Sequence, residues 1–158
     1  MATIRSEIKT AARAEDVWLA VRDVGALHTR LVPGFVTDTK LEARARVVTF
    51  ANGVTLHEPI VTIDNEARRL VWTHEGGRAK HYNGALQVSA LPDGSTSVTW
   101  TADFLPDDIH GYFSQAIAAG MAAMRRTLDA LAREDATETA AVSQGDDART
   151  TPLADTRR

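Results

Sequence analysis

One apolar stripe near the C-terminus constrains the fold of the whole chain. Between Pro106 and Glu134, apolar residues recur at three- and four-residue spacing, which predicts a long amphipathic helix. The stripe comprises Ile109, Tyr112, Phe113, Ala116, Ile117, Gly120, Met121, Met124, Leu128 and Leu131. Because a stripe of this length needs a large surface to cover it, we expect it to pack on a sheet built from residues 34–104. A long helix laid across a curved sheet encloses a cavity, which would suit a small apolar molecule.

A series of strand-like segments precedes this helix. Asn52-Gly53 is typical of a hairpin turn, and further turn signals follow at residues 64–68, 76–78 and 92–94. Because the connections are short, the strands should form an antiparallel meander. An N-terminal strand and two short helices within residues 14–31 come first. The order predicts an α+β fold in which a curved antiparallel sheet of about seven strands wraps around the long helix.

Composition argues against several classes of function. The chain contains no cysteine, which excludes disulfides, thiolate catalysis and cysteine-based zinc sites. The five histidines form neither an HExxH motif nor a pair on one helix, and no glycine-rich phosphate loop occurs, so we expect no metal and no nucleotide cofactor. The net charge of −3 provides no basic surface overall, so we expect no nucleic-acid partner.

Chain length and the distribution of apolar residues predict a single domain over residues 1–134. Residues 135–158 contain no aromatic residue and no apolar period, which predicts a disordered tail. No segment is apolar enough to span a bilayer, and residues 1–5 lead into alternating residues rather than a secretory segment. We therefore expect a cytoplasmic protein. The sequence does not define its oligomeric state.

Four segments resemble those of a known superfamily. They are Ala14-Glu15-Asp16-Val17-Trp18, Arg68-Arg69-Leu70-Val71-Trp72, His81-Tyr82-Asn83-Gly84-Ala85-Leu86-Gln87-Val88 and Val98-Thr99-Trp100-Thr101-Ala102-Asp103-Phe104-Leu105-Pro106-Asp107. In this order they are similar to the helix-grip fold of the START and birch-pollen-allergen superfamily, often called SRPBCC, and to its bacterial polyketide cyclase/dehydrase-like branch. The resemblance covers residues 1–134.

The resemblance implies the helix-grip fold and leaves three functions open, since one fold supports many activities. The first is a carrier or sensor that binds a small hydrophobic or aromatic molecule, with lipid binding included. The second is an enzyme of cyclase or dehydratase type that needs no metal or nucleotide cofactor. The third is an interaction module whose groove accepts part of another protein.

Strand alternation indicates which residues face the cavity. A two-residue loop at Asp93-Gly94 would place Leu86 opposite Thr101, whereas a loop with an odd number of residues places it opposite Trp100, and burial favours the second. The predicted ligand-binding residues are Trp72, Tyr82, Leu86, Trp100, Phe113, Ile117, Gly120 and Met121. Two further candidates point outward by parity and would turn inward only with a bulge at Gly84: His81 and Asn83.

One polar pair is predicted on the inner face of the sheet. Counting back across the turn at residues 64–68 places Glu58 near His74 and Ile60 near Trp72. Glu58 and His74 are thus the candidate acid–base pair of a cyclase or dehydratase, which must remove a proton next to a carbonyl group. The alternative is an ordinary ion pair at the cavity mouth or on the outer face, where such contacts contribute little.

Gly120 lies inside the predicted long helix. A glycine at such a position costs about 1 kcal/mol relative to alanine. Either space for a ligand or a close approach of the sheet would account for it.

Overall fold

The computed structural model describes residues 1–147. It contains seven strands, two α-helices and two short helical turns of π and 3-10 type. In chain order these are β1 (Ala2–Thr10), α1 (Ala14–Arg22), the π turn (Leu27–Leu31), β2 (Val36–Leu41), β3 (Ala45–Phe50), β4 (Thr55–Asp64), β5 (Arg69–Thr73), β6 (His81–Ala90), β7 (Thr96–Leu105), the 3-10 turn (Asp107–Ile109) and α2 (His110–Asp147).

The strands form a single antiparallel sheet in the order β1-β7-β6-β5-β4-β3-β2. Strands β2 to β7 are a meander, and β1 pairs with the last strand. Helix α2 buries its apolar stripe against this sheet, with large buried side chains at Phe113, Ile117, Met121, Met124 and Leu128. The predicted fold class is confirmed. No helix within residues 1–147 has the length and apolar character needed to cross a membrane.

Strand pairing shows which side chains share the inner face. Leu86 lies opposite Trp100, as expected from a hairpin loop with an odd number of residues. Ile60 lies opposite Trp72, and a register shift follows between Ile60 and Thr62. This bulge was not predicted. It lies between the turn and Ile60 and offsets the turn, which pairs Asp64 with Arg69 and not with Arg68, so the predicted pair of Ile60 and Trp72 is found.

Helix α2 is longer than the sequence pattern indicated. The apolar stripe weakens near Glu134, yet the helix continues to Asp147. The hydroxyl groups of Thr137 and Thr139 each donate to the backbone carbonyl four residues earlier, at 2.9 Å. The loss of an apolar period shows that no surface covers this segment, but an alanine-rich segment still has a high helix propensity. The expected tail is therefore helical in its first part, whereas residues 148–158 lie outside the described residues.

Candidate functional site

A cavity of about 380 Å³ lies between the concave face of the sheet and α2. Its walls are mainly apolar and aromatic, with contributions from Leu31, Phe35, Leu56, Trp72, Leu86, Trp100, Phe113 and Ile117. This volume falls within the usual range for sites that bind small molecules. Within residues 1–147, no group of three or more His, Asp or Glu side chains is arranged to hold a metal ion.

Most of the predicted ligand-binding residues line this cavity: Trp72, Tyr82, Leu86, Trp100, Phe113 and Ile117. Gly120 and Met121 do not, although both are buried on α2. A Cβ atom on Gly120 would lie 2.9 Å from Trp100 and 3.0 Å from Phe35. The glycine therefore permits a close approach of these two rings and does not provide space for a ligand. Met121 packs within the hydrophobic core.

His81 and Asn83 lie outside the cavity. Strands β6 and β7 pair without a register shift along their whole length, so no bulge at Gly84 turns these residues inward. Gly84 has another role, because a Cβ atom there would lie 2.6 Å from the indole ring of Trp72. The glycine provides the space in which this indole ring lies against the sheet.

A buried polar cluster forms part of the cavity wall. The Nε2 atom of His74 lies 3.1 Å from Oε1 of Glu58. The other carboxylate oxygen, Oε2, accepts a hydrogen bond of 2.7 Å from Nε of Arg46. The exposed fraction of the side chain is only 3% for Arg46 and Glu58 and 8% for His74. The two predicted residues therefore meet inside the protein, while their catalytic role stays a prediction.

Arg46 was not identified from the sequence. It pairs with Glu58 across β3 and β4. A two-residue loop at Asn52-Gly53 would instead have paired Arg46 with Pro59. The Arg46 side chain would then lie on the face of the sheet opposite to Glu58. Asn52-Gly53 signals a hairpin, but it does not define the number of residues in the loop. This number decides to which face of the sheet each side chain of the strand points.

The charge state of Glu58 follows from its two partners. Burial alone would raise the pKa of Glu58, but the Arg46 guanidinium and the His74 imidazole lower this pKa below its usual range. Glu58 is therefore ionised at neutral pH and forms a buried ion pair with Arg46. Such a pair depends on both partners, because either charge alone would be buried without compensation.

Aromatic side chains surround the cluster. The imidazole of His74 stacks on the ring of Tyr82, with 3.7 Å between ring centroids and 2° between ring planes. The Tyr82 hydroxyl accepts a hydrogen bond of 3.2 Å from Nε1 of Trp100. Burial raises the pKa of Tyr82, although this hydrogen bond opposes the effect, so the hydroxyl stays protonated. Arg46 lies 5.5 Å from the centroid of the Trp72 ring, within the range of a cation–π contact.

The family described as "Polyketide cyclase / dehydrase and lipid transport" matches residues 1–134. The chain is thus a helix-grip protein of the SRPBCC superfamily and belongs to this family. The resemblance identified from the sequence is confirmed. No curated protein matches the chain.

Solved structures with the same fold include bacterial and plant proteins. The XoxI protein from Bacillus cereus has 18% sequence identity and a TM-score of 0.73, over 81% of this chain and 96% of that chain. A Thermobifida fusca protein has 29% identity and a TM-score of 0.68, over 83% and 95%. Norcoclaurine synthase from Thalictrum flavum, in complex with dopamine and hydroxybenzaldehyde, has 21% identity and a TM-score of 0.67, over 84% and 87%.

Proposed function

We propose that this protein binds a small hydrophobic or aromatic molecule in the cavity between the sheet and α2. The observation that carries the proposal is a cavity of about 380 Å³ with mainly aromatic and aliphatic walls and one small polar cluster. Sites for small molecules commonly have this composition, in which apolar walls provide affinity and a few polar groups orient the ligand. The proposal is also supported by norcoclaurine synthase, a plant protein of the same fold that is in complex with dopamine and hydroxybenzaldehyde.

Filling the cavity should abolish binding. Ala116 is half-buried on α2 and lines the cavity, whereas Ala118 lies two residues further along and is exposed. We expect Ala116→Phe to weaken binding of the neutral fluorophore N-phenyl-1-naphthylamine at least about tenfold, a change of about 1.4 kcal/mol. The matched variant Ala118→Phe adds the same ring to the solvent face and should bind like the wild type. Fluorescence titration measures both affinities.

Thermal unfolding of both variants shows whether the fold is retained. Equal affinity of a folded Ala116→Phe variant and the wild type would contradict the proposed site, and so would failure of the wild type to bind the fluorophore.

One observation favours a second candidate function, a proton transfer of the cyclase or dehydratase type. His74 lies 3.1 Å from the ionised carboxylate of Glu58 within the cavity wall. With Nε2 protonated and facing this carboxylate, Nδ1 of His74 carries the free electron pair and is the candidate base. Glu58 is then a positioning residue that holds the histidine in one tautomer.

Hydrogen–deuterium exchange tests this second function. We expect the wild type to accelerate deuteration of the methyl group of 2-acetonaphthone in D2O. In this exchange the C–H bond breaks, its proton moves to Nδ1 of His74, and the electron pair moves to the ketone oxygen. The proton on Nδ1 then exchanges with D2O, and the electron pair returns from the oxygen as a C–D bond forms. His74→Gln should reduce the rate, followed by NMR, to that of free solution, while binding of the ketone persists. An unchanged rate in this variant would contradict the assignment.

A further inference from the structure

On the basis of the proposed function, we infer that His57, on the outer face of the sheet, is a pH-sensitive positioning residue for the cavity wall. As an imidazolium it holds Glu75, and Glu75 is adjacent in the chain to His74, which lines the cavity. Loss of the positive charge on His57 should loosen this part of the wall and weaken ligand binding.

The chain around His57 and the chain around His74 form a histidine–glutamate pair on each face of the sheet. On the inner face, Nε2 of His74 lies 3.1 Å from Oε1 of Glu58. On the outer face, Nδ1 of His57 lies 2.6 Å from Oε2 of Glu75. The backbone amide of Glu75 also donates to the carbonyl of His57, at 2.8 Å. Because successive side chains of an extended chain point to opposite faces, the outer pair helps to fix the position of the His74 ring.

Both ring nitrogens of His57 face a carboxylate. Nδ1 lies against Glu75, and Nε2 lies 2.9 Å from Oε2 of Glu42, in the connection between β2 and β3. An ionised carboxylate only accepts hydrogen bonds and a neutral imidazole has a single N–H group, so only the imidazolium donates to both. The exposed fraction of the His57 side chain is 36%, so water reaches the ring and can exchange its protons.

The surroundings of His57 favour its charged form. Hydrogen bonds to Glu42 and to Glu75 raise the pKa of His57 above its ordinary value of 6.5. On β3 the residue opposite His57 is Val47, which does not titrate, and the next residue across the sheet is Lys40 on β2. The titratable groups of the buried polar cluster lie on the opposite face of the sheet.

A rise in pH removes this charge. Because the pKa is raised, the imidazolium is complete below the ordinary value and is lost as the pH rises through the raised pKa. The neutral ring keeps one N–H group, so its other nitrogen presents an electron pair to a carboxylate. Glu42 and Glu75 can then no longer both stay in place, and the connection between β2 and β3 loses its link to the segment after β5.

The segment after β5 connects the sheet to α2 at the cavity wall. Two glycines with positive φ, Gly76 and Gly77, turn the chain there. The guanidinium of Arg78 then lies 4.6 Å from the centroid of the Tyr112 ring, and Tyr112 lines the cavity. The segment thus meets the wall at both ends, through His74 and through Tyr112. Loosening its sheet end therefore changes the shape of the cavity wall.

The pH dependence of fluorophore affinity tests the inference. N-phenyl-1-naphthylamine stays uncharged over the range, so a change in its affinity reports on the protein. We expect the wild type to bind it about two- to fivefold more weakly at about pH 9 than at about pH 6, since an exposed ion pair contributes modestly. His57→Gln should bind with the weaker affinity at both pH values. The matched variant His81→Gln changes an exposed histidine outside the cavity and should retain the wild-type dependence.

Nitrogen-15 NMR of the histidine rings provides a readout that needs no ligand. The two ring nitrogens of His57 should titrate together with a midpoint above 6.5, and the affinity for the fluorophore should change with the same midpoint. Glu75→Gln removes the link between His57 and the segment after β5. This variant should lower the midpoint of His57 and abolish the pH dependence of the affinity, whereas a purely structural contribution of His57 would leave the affinity independent of its titration.

The possible failures can be distinguished. If the wild type binds the fluorophore at neither pH, the proposed function is wrong and the inference falls with it. If the affinity is equal at both pH values, or if its pH dependence survives in a folded His57→Gln variant, the proposed function stands and the inference is overturned. A midpoint for His57 at or below 6.5 would also overturn it. Circular dichroism shows whether each variant is folded, and Glu75→Gln provides the same test if His57→Gln is not.

Discussion

Replacing Glu58 with glutamine should destabilise the protein by about 3–5 kcal/mol. Glu58 compensates the charge of Arg46, and both side chains are almost completely buried. Without the carboxylate, the guanidinium would stay in the interior without an opposite charge. Its neighbours would be a neutral amide, the Trp72 ring and the Val24 carbonyl, which lies 3.5 Å from its Nη1 atom. Urea unfolding at pH 7 measures the loss of unfolding free energy.

Two controls separate this effect from a general sensitivity to mutation. Glu42→Gln changes an exposed carboxylate that lies 2.9 Å from His57, and it should alter stability by less than about 0.5–1 kcal/mol. The double variant Arg46→Met/Glu58→Leu removes both buried charges and should be more stable than Glu58→Gln alone. A double variant as unstable as the single one would contradict the ion-pair explanation.

The pH dependence provides an independent check of the same prediction. The pKa of Glu58 is lowered from its ordinary value of 4.5, so its contribution to stability is present above that value. It is lost as the pH falls through the lower pKa of the folded state. The difference in unfolding free energy between the wild type and Glu58→Gln should therefore narrow in acid. A difference that stays constant down to acid unfolding would show that Glu58 does not act through its charge.

Phe113→Ala should destabilise the protein by about 3–5 kcal/mol. Phe113 is buried on the inner side of α2, and its ring centroid lies 4.8 Å from that of Phe104 and 5.1 Å from that of Tyr82. Truncation removes these contacts and leaves a void beside the cavity, since the sheet and the helix cannot fully collapse around it. Equilibrium unfolding in urea measures the effect.

Ser114 provides the matched control, because it is exposed one residue further along the same helix. Ser114→Ala should change stability by at most about 0.5 kcal/mol. A loss below about 1 kcal/mol for Phe113→Ala would indicate that α2 does not close the cavity through this ring.

Local patterns in the sequence predicted much of the candidate site. Hairpin parity placed Leu86 opposite Trp100, because this argument needed only the pairing of two neighbouring strands. It also brought Glu58 near His74, but there an unpredicted bulge between Ile60 and Thr62 offset a turn that is one residue longer than the count assumed. Arg46 was not identified in this way, because its position depends on whether the hairpin loop contains two residues or three. A change of one residue in a loop moves every side chain of the strand to the opposite face.

The sequence by itself determined the order of the elements, the antiparallel sheet and the stripe by which α2 packs on it, since these depend on periodicity and turn residues. Tertiary structure alone decided which part of that stripe faces the cavity. An apolar stripe spans at least about 100° of a helix, so the rotation of α2 against the sheet is set by packing. That packing brings Trp100 and Phe35 against Gly120, places Met121 in the core and leaves Phe113 and Ile117 at the cavity wall.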